Sequence, residues 1–449
     1  MKKEVLSIIF FLFTVALPVY SQKSWTLEDC INYAVTNNIQ VKRQQLQTEY
    51  RREDLRKSRM DLLPGINFES DGNLGFGRSV DPVTNLITFQ KNISNSYTLS
   101  TSVNLFSGLS SVNLMEADRF MLKAGLEQEK IAVNSLVISI LTAYYQVLYC
   151  KGLENSALAQ QRQSEKQLFR IRKNVEAGKE AVARQYEIES RVSDDKLVST
   201  IAINNTNQAI TNLKQILQIE AGEAFDVTMP SFDSVPMPDE DFRTDSIFNV
   251  ASEVLPRLKA ITYELKASQK QLAAAKGGIS PRLVAGGAIY TGYYDILGSG
   301  GTTSKSFQDQ LKGNNSQAIY ARLQIPIFNN YTNIRNIRYA KIRKNDTELR
   351  LELEKNNLYS DIENACLNYR RGKDEYKAAL SSYEFNRKSY EVVTKRFETG
   401  LVDVTDYSAA STAFMKAETE LTRTRLLVLI RKLVIKFYST GDYKTIINS

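Results

Sequence analysis

The chain is written twice. Residues 174–178 read NVEAG and residues 396–400 read RFETG, 222 positions later. VNLFSG at 103–108 returns at the same spacing as IPIFNN at 325–330. Nearer the N-terminus the spacing is 217: Ile39 aligns with Pro256, Val41 with Leu258 and Pro64 with Pro281. A unit of ~220 residues that occurs twice is expected to pair with its copy and build one symmetric assembly, not two unrelated activities.

Both copies predict the same order of elements. A short helix (Leu27–Thr36, then Ser246–Glu253) is followed by a second (Ile39–Asp61, then Arg257–Lys276). A proline, a β-hairpin, a very long helix, a glycine-marked turn and a last helix follow. In the first repeat, 22–220, the strands are expected at 66–77 and 97–107, the long helix at 109–177 and the last helix at 183–220. In the second, 246–441, they are expected at 282–294 and 317–328, 331–399 and 404–440. The acidic stretch 221–245, with Pro230, Pro236 and Pro238, reads as an irregular linker, and 442–449 as a short tail.

Proline placement favours the long helices. The nine prolines stop at Pro82, resume at Pro230 and end at Pro326. Both long segments thus lack the residue that breaks helices most reliably. A helix over 109–177 would span roughly 100 Å, far beyond an ordinary globular helix. Heptads support it: Tyr369, Tyr376, Tyr383, Tyr390 and Phe397 recur every seven residues. Gly372, Ala379, Asn386 and Val393 follow the first four at three positions' distance. Large residues alternating with mostly small ones suit knobs entering holes on a neighbouring helix.

The hairpins have period two. Tyr97, Leu99, Thr101, Val103 and Leu105 alternate with Thr98, Ser100, Ser102 and Asn104. Ile319, Ala321, Leu323, Ile325 and Ile327 alternate with Tyr320, Arg322, Gln324 and Pro326. Residues 283–294 are glycine-rich and leave their facing open. Strands of about ten residues with one apolar and one polar face suit a transmembrane wall with lipid outside and water inside. A soluble half-buried sheet has the same period. Four spanning strands cannot close a barrel, so several chains would have to share one. Arg78–Ser96 and Gly298–Ser316 read as polar external loops.

Composition narrows the function. The net charge of +8 is spread thinly, so no nucleic acid is expected as a partner. The chain has no histidine, which removes histidine triads, histidine metal ligands and a histidine pH switch. No phosphate loop or cysteine cluster is present, so neither an enzyme nor a cofactor is expected. Residues 1–21 read as a signal peptide: Lys2 and Lys3 precede the apolar run Val5–Leu17, with cleavage expected near Ser21. No other stretch reads as a spanning helix. Cys30, Cys150 and Cys366 are few and far apart, and read as small buried hydrophobes.

The ordered set resembles the TolC family of outer-membrane efflux proteins across nearly all of the mature chain. The resemblance rests on WTLEDCINYAVTNN, a proline before each first strand, LFSG and IFNN after each second strand, and RFETGLVDVTDYSAA at the second turn. It implies a mixed α and β membrane protein. Three chains would share one 12-stranded transmembrane β-barrel, continued by an α-helical periplasmic tunnel, with the linker in a belt around its middle. It further implies an exit duct, in a tripartite efflux or type I secretion system, for small molecules or polypeptide. The partners would be outer-membrane lipid, a periplasmic adaptor and an inner-membrane pump of RND, ABC or MFS type. A periplasmic coiled-coil adaptor or structural protein is the alternative. An adaptor would show one helical hairpin flanked by β-rich modules.

By the same resemblance the helix turns form the periplasmic entrance, here Gly178 and Gly400. Asp406 matches the first of two acidic positions that ring such an entrance, and the second is Ala409. Asp403 either substitutes for it or caps the helix that starts near Val404. The corresponding position in the first copy is Arg184. Positions that hold a bridging arginine and tyrosine in familiar members are Val402 and Phe397. Arg184 is therefore expected to pair with Asp406 or Asp403 across neighbouring helices in a closed state.

Overall fold

The computed structural model describes residues 24–80, 85–89, 91–220, 222–228, 240–297 and 305–447. The expected signal peptide, about half of the linker and the last two tail residues lie outside them. In chain order the helices are α1 (Leu27–Asn37), α2 (Ile39–Met60), α3 (Ser110–Glu176), α4 (Val182–Leu217), α5 (Thr244–Val254), α6 (Pro256–Gly277), α7 (Phe307–Gly313), α8 (Thr332–Glu398), α9 (Val404–Thr440) and α10 (Lys444–Ile447). The strands are β1 (Ser24–Trp25), β2 (Gly65–Gly75), β3 (Arg78–Val80), β4 (Ile87–Phe89), β5 (Lys91–Phe106), β6 (Asp226–Val227), β7 (Arg282–Leu297) and β8 (Ser316–Gln324). The chain is mostly helical. α3 and α8 each hold 67 residues.

The described residues divide into two units. One takes those of Met1–Gln44, Glu129–Pro256 and Asn356–Ser449; the second takes Gln45–Gln128 and Arg257–Lys355.

The second unit holds the main sheet, which is antiparallel in the order β2-β5-β7-β8. It is open, with β2 and β8 at its edges. Residues directly opposite one another in such a sheet share a face. Phe68 pairs with Leu99 and Leu99 with Ile289; Ile66, Thr101, Gly287 and Ile319 form the next row. The other face carries Glu69, Thr98, Tyr290 and Ser316 in one row. This register assigns the facing of β7: Leu283, Ala285, Gly287 and Ile289 lie on the apolar side. The alternation was hidden because glycine replaces side chains on both faces. At Gly286 a Cβ would come within 2.5 Å of the Tyr320 ring, so an aromatic from β8 fills that place. The apolar face stands open to the surroundings in the single chain, with Ile319 95% exposed.

The loop expected at 298–316 contains α7, too short to show a helical period. β7 runs beyond the start of β8, and α7 covers that length of its edge. The Gln310 side-chain amide donates to the Tyr294 carbonyl at 2.9 Å, and its oxygen accepts from the Tyr294 N–H at 3.0 Å. Asn314 donates to the Gly292 carbonyl at 2.8 Å. Two side chains thus occupy backbone groups that a neighbouring strand would take. Each strand turns into its long helix through two successive left-handed residues. These are Gly108 and Leu109 (φ 61° and 60°), then Asn330 and Tyr331 (φ 51° and 68°). A side chain in that conformation costs about 1 kcal/mol, so three of the four positions hold strain. Gly108 is glycine for a second reason: a Cβ there would lie 2.4 Å from the Gly277 carbonyl oxygen.

The first unit is helical. β1 pairs with β6, and the Tyr144 hydroxyl donates to the carbonyls of Trp25 (3.3 Å) and Thr228 (3.0 Å) beside them. One stretch of α3 is, contrary to expectation, long and apolar enough by composition to cross a membrane. Its buried residues Val137, Ile140, Leu141, Tyr144, Val147 and Leu148 fall at helical spacing, as in a core helix that buries one stripe. The tyrosine ladder of α8 faces inward: Tyr369 and Phe397 are buried, with Gly372 and Ala379 between them. A Cβ at Gly372 would meet Arg431 at 2.6 Å, so the gap lets an α9 side chain cross to the Asn368 carbonyl. Cys30, Cys150 and Cys366 are free and buried. Burial and the neighbouring Asp29 push the Cys30 thiol up to about 12, which suits an inert packing role.

Candidate functional site: the paired helix turns

Two tight turns in the first unit join α3 to α4 and α8 to α9. Both close in the same way. Gly178 (φ 68°) donates to the Val175 carbonyl and Lys179 to that of Asn174; Gly400 (φ 77°) donates to Phe397 and Leu401 to Arg396. Each is a Schellman ending, in which a left-handed residue satisfies carbonyls left over at a helix end. Glycine takes that conformation without a Cβ penalty, which explains the glycines of NVEAG and RFETG.

The turns rest on a small apolar core. Ile171, Ile188, Phe397, Val404 and Tyr407 form it, flanked by Leu168, Val175, Val192, Tyr390, Val393 and Val402. All four helices contribute, so both turns share one support. The Phe397 and Tyr407 rings stack at 4.7 Å between centroids, and the Tyr390 and Tyr407 hydroxyls lie 3.2 Å apart. Burial, then the hydrogen bond with Tyr390, hold the Tyr407 hydroxyl above its ordinary range, so it stays protonated.

Arg184 bridges the turns. Its guanidinium lies over the Phe397 ring, 5.0 Å from the centroid, and donates a long hydrogen bond to the Val402 carbonyl at 3.5 Å. Phe397 and Val402 are the two positions at which the family resemblance implies a bridging tyrosine and arginine. The cation comes from the opposite turn and meets a ring face and a backbone oxygen there. Within the chain its ion pair is with Glu180, at 3.2 Å and without the alignment of a hydrogen bond. Asp403 takes the capping role: its carboxylate accepts from the Asp406 N–H at 2.9 Å and closes the start of α9. Asp406 is exposed in the first turn of α9, where a negative charge complements the helix dipole.

A second polar layer went unread in the sequence. Arg191 lies 3.1 Å from Asp195, and its other nitrogens donate to Thr412 and Ser411 at 3.1 and 3.3 Å. Gln160 donates to Asp195 at 3.3 Å. Asp195 is 4% exposed. A charged pair four apart on a helix ordinarily reads as a solvated face. Here α3 and α9 supply the polar partners that make its burial tolerable. Nearer the turn, Arg172 pairs with Glu189 at 2.7 Å and holds its carboxyl below the usual range.

The fold, an open antiparallel sheet in a chain of very long helices, is that of outer-membrane channels. The structure matches CusC with TM-score 0.78 at 16% identity, covering 94% of this chain and 93% of that one. It matches the CmeC outer membrane channel of Campylobacter jejuni with 0.78 at 16%, covering 94% and 88%. It matches the open state of the MtrE outer membrane channel of Neisseria gonorrhoeae with 0.74 at 18%, covering 93% and 89%. No curated protein matches the sequence. Residues 249–435 match the family model of the outer membrane efflux protein. Residues 249–435 thus carry an outer membrane efflux protein domain, and the chain has the fold of outer-membrane channels of that kind.

Proposed function

We propose that the chain is the outer-membrane exit duct of an efflux system. Three copies each lend four strands to one 12-stranded barrel, and their long helices continue it as a tunnel through the periplasm. The duct performs no chemistry. It receives small molecules, or polypeptide in a type I secretion system, from a periplasmic adaptor joined to an inner-membrane pump.

The observation that carries this reading is the open sheet. Its edges β2 and β8 are bare, one face is apolar and exposed, and the other is polar. Lipid tolerates neither a bare strand edge nor a lone polar face, and both are removed when copies close around water. The paired turns are then the periplasmic entrance, with Gly178, Gly400, Arg184, Asp403 and Asp406 at its lining. Arg184 reaches the aspartates only by releasing Phe397 and Val402, or through a neighbouring chain.

Membrane fractionation tests the reading. The protein is expected with the outer membrane after salt washing. Recovery in the soluble periplasm would overturn it and favour the coiled-coil adaptor.

A further inference from the structure

We propose that a collar of cations just beyond the strand ends of the second unit binds anionic phospholipid headgroups on the periplasmic side of the membrane. The proposal rests on the duct reading. The apolar face of the sheet does not stop where the strands stop. Ile325, Ile327 and Phe328 follow β8 and are exposed, Ile327 by 95%. Leu63 before β2, Phe106 at the end of β5 and Ile279 before β7 are exposed at the same end. An apolar and aromatic fringe at a strand end suits the boundary between hydrocarbon and headgroups.

Positive charge begins where that fringe ends. Arg59 lies in the last turn of α2, Lys276 in the last turn of α6, and Arg335, Arg338 and Lys341 in the opening turns of α8. All five are exposed, and none is in an ion pair among the described residues. Among the nearby acids, Asp61 pairs with Lys57 at 2.6 Å, Glu116 pairs with Arg119 at 3.3 Å, and Asp118 accepts a hydrogen bond from Ser58. The unpaired cations outnumber the unpaired acids, so the net charge of this end is positive.

The α8 cations are also held in place. Tyr331, Arg335, Arg338 and Ile342 fall at helical spacing along one face. The Arg338 guanidinium lies 5.4 Å from the centroid of Tyr331, and that of Arg335 lies 5.7 Å from Tyr339. Stacking uses a face of the guanidinium and leaves its N–H edges for a phosphate. Charge complementarity and continuity with the apolar face together select an anionic phospholipid of the adjoining leaflet over a zwitterionic one.

The test uses the full-length complex extracted in mild detergent. It is exchanged into micelles with equal phosphatidylglycerol and phosphatidylcholine, and bound lipid is counted by native mass spectrometry. Three juxtamembrane cations per chain predict about tenfold enrichment of phosphatidylglycerol or more. R335Q/R338Q/K341Q, which keeps Arg59 and Lys276, should cut the ratio severalfold, and R335K/R338K should keep most of it. Equal retention by the wild type, or undiminished preference in the glutamine variant, would overturn the proposal. If the glutamine variant does not assemble, the wild type in high salt decides. Its preference must fall steeply as salt screens the exposed charges, and a salt-insensitive preference overturns the collar. Failure of the duct reading is seen separately, as a protein outside the outer membrane or an assembly without three chains.

Discussion

Arg184 and Phe397 lie face to face, guanidinium over ring at 5.0 Å, and tie the α3–α4 turn to the α8–α9 turn. A partly exposed cation over a phenyl ring is worth ~0.5–1 kcal/mol. R184A should therefore favour an open entrance by about two- to fivefold per chain, on that figure. Single-channel recording would show this as higher mean conductance. R184K, which keeps the charge and loses the planar stack, should fall between. Unchanged conductance in both variants removes Arg184 from the gate.

The aspartates should behave differently from each other. D403N keeps a capping oxygen and should cost little, whereas D403A loses the α9 cap at about 1 kcal/mol. D406A removes an exposed charge and should alter cation preference with little effect on melting temperature. If D406A leaves cation preference unchanged, Asp406 is only a solvated charge at the turn.

Gly178 and Gly400 are held at φ 68° and 77° with open space where a Cβ would go. G178A and G400A should each lower stability by about 1 kcal/mol through backbone conformation alone. Asparagine, which tolerates this region better, should cost less. Thermal unfolding of the four single variants checks the order, and equal melting temperatures would refute it.

Glu189 gives a pH test. Its carboxyl is held low, first by the hydrogen bond from Arg172 and then by that from Gln185. A depressed carboxylate contributes stability above its unfolded pKa and loses it as pH falls through its folded one. The window therefore lies below the ordinary value of 4.5. Titration of carboxyl-labelled protein by NMR should show the Glu189 midpoint rising in R172A.

The long helices could be read from proline-free heptads, because a 67-residue helix repeats its pattern many times. Asp403 was visible as a cap, since capping needs only a short local pattern. Arg191 and Asp195 were not, because their burial depends on Gln160, Ser411 and Thr412 from other helices. The face of β7 was hidden by glycines whose space Tyr320 fills. Arg184 stands out in the sequence as the residue out of place, and within the single chain it lies against Phe397 and the Val402 carbonyl. Sequence spacing favours an acid for a cation and gives no sign that a ring face and a carbonyl are nearer.

The central claim is that bare edges β2 and β8 close against other copies, three to a ring. Cysteines at Ala318 on β8, combined in turn with Asn67, Asp71 or Asn73 on β2, test it by oxidative cross-linking in intact outer membranes. The native cysteines are buried and should contribute little background. One of the pairs should form a ladder of cross-linked species that ends at three chains. A ladder that ends at two, runs past three or never forms would contradict the account.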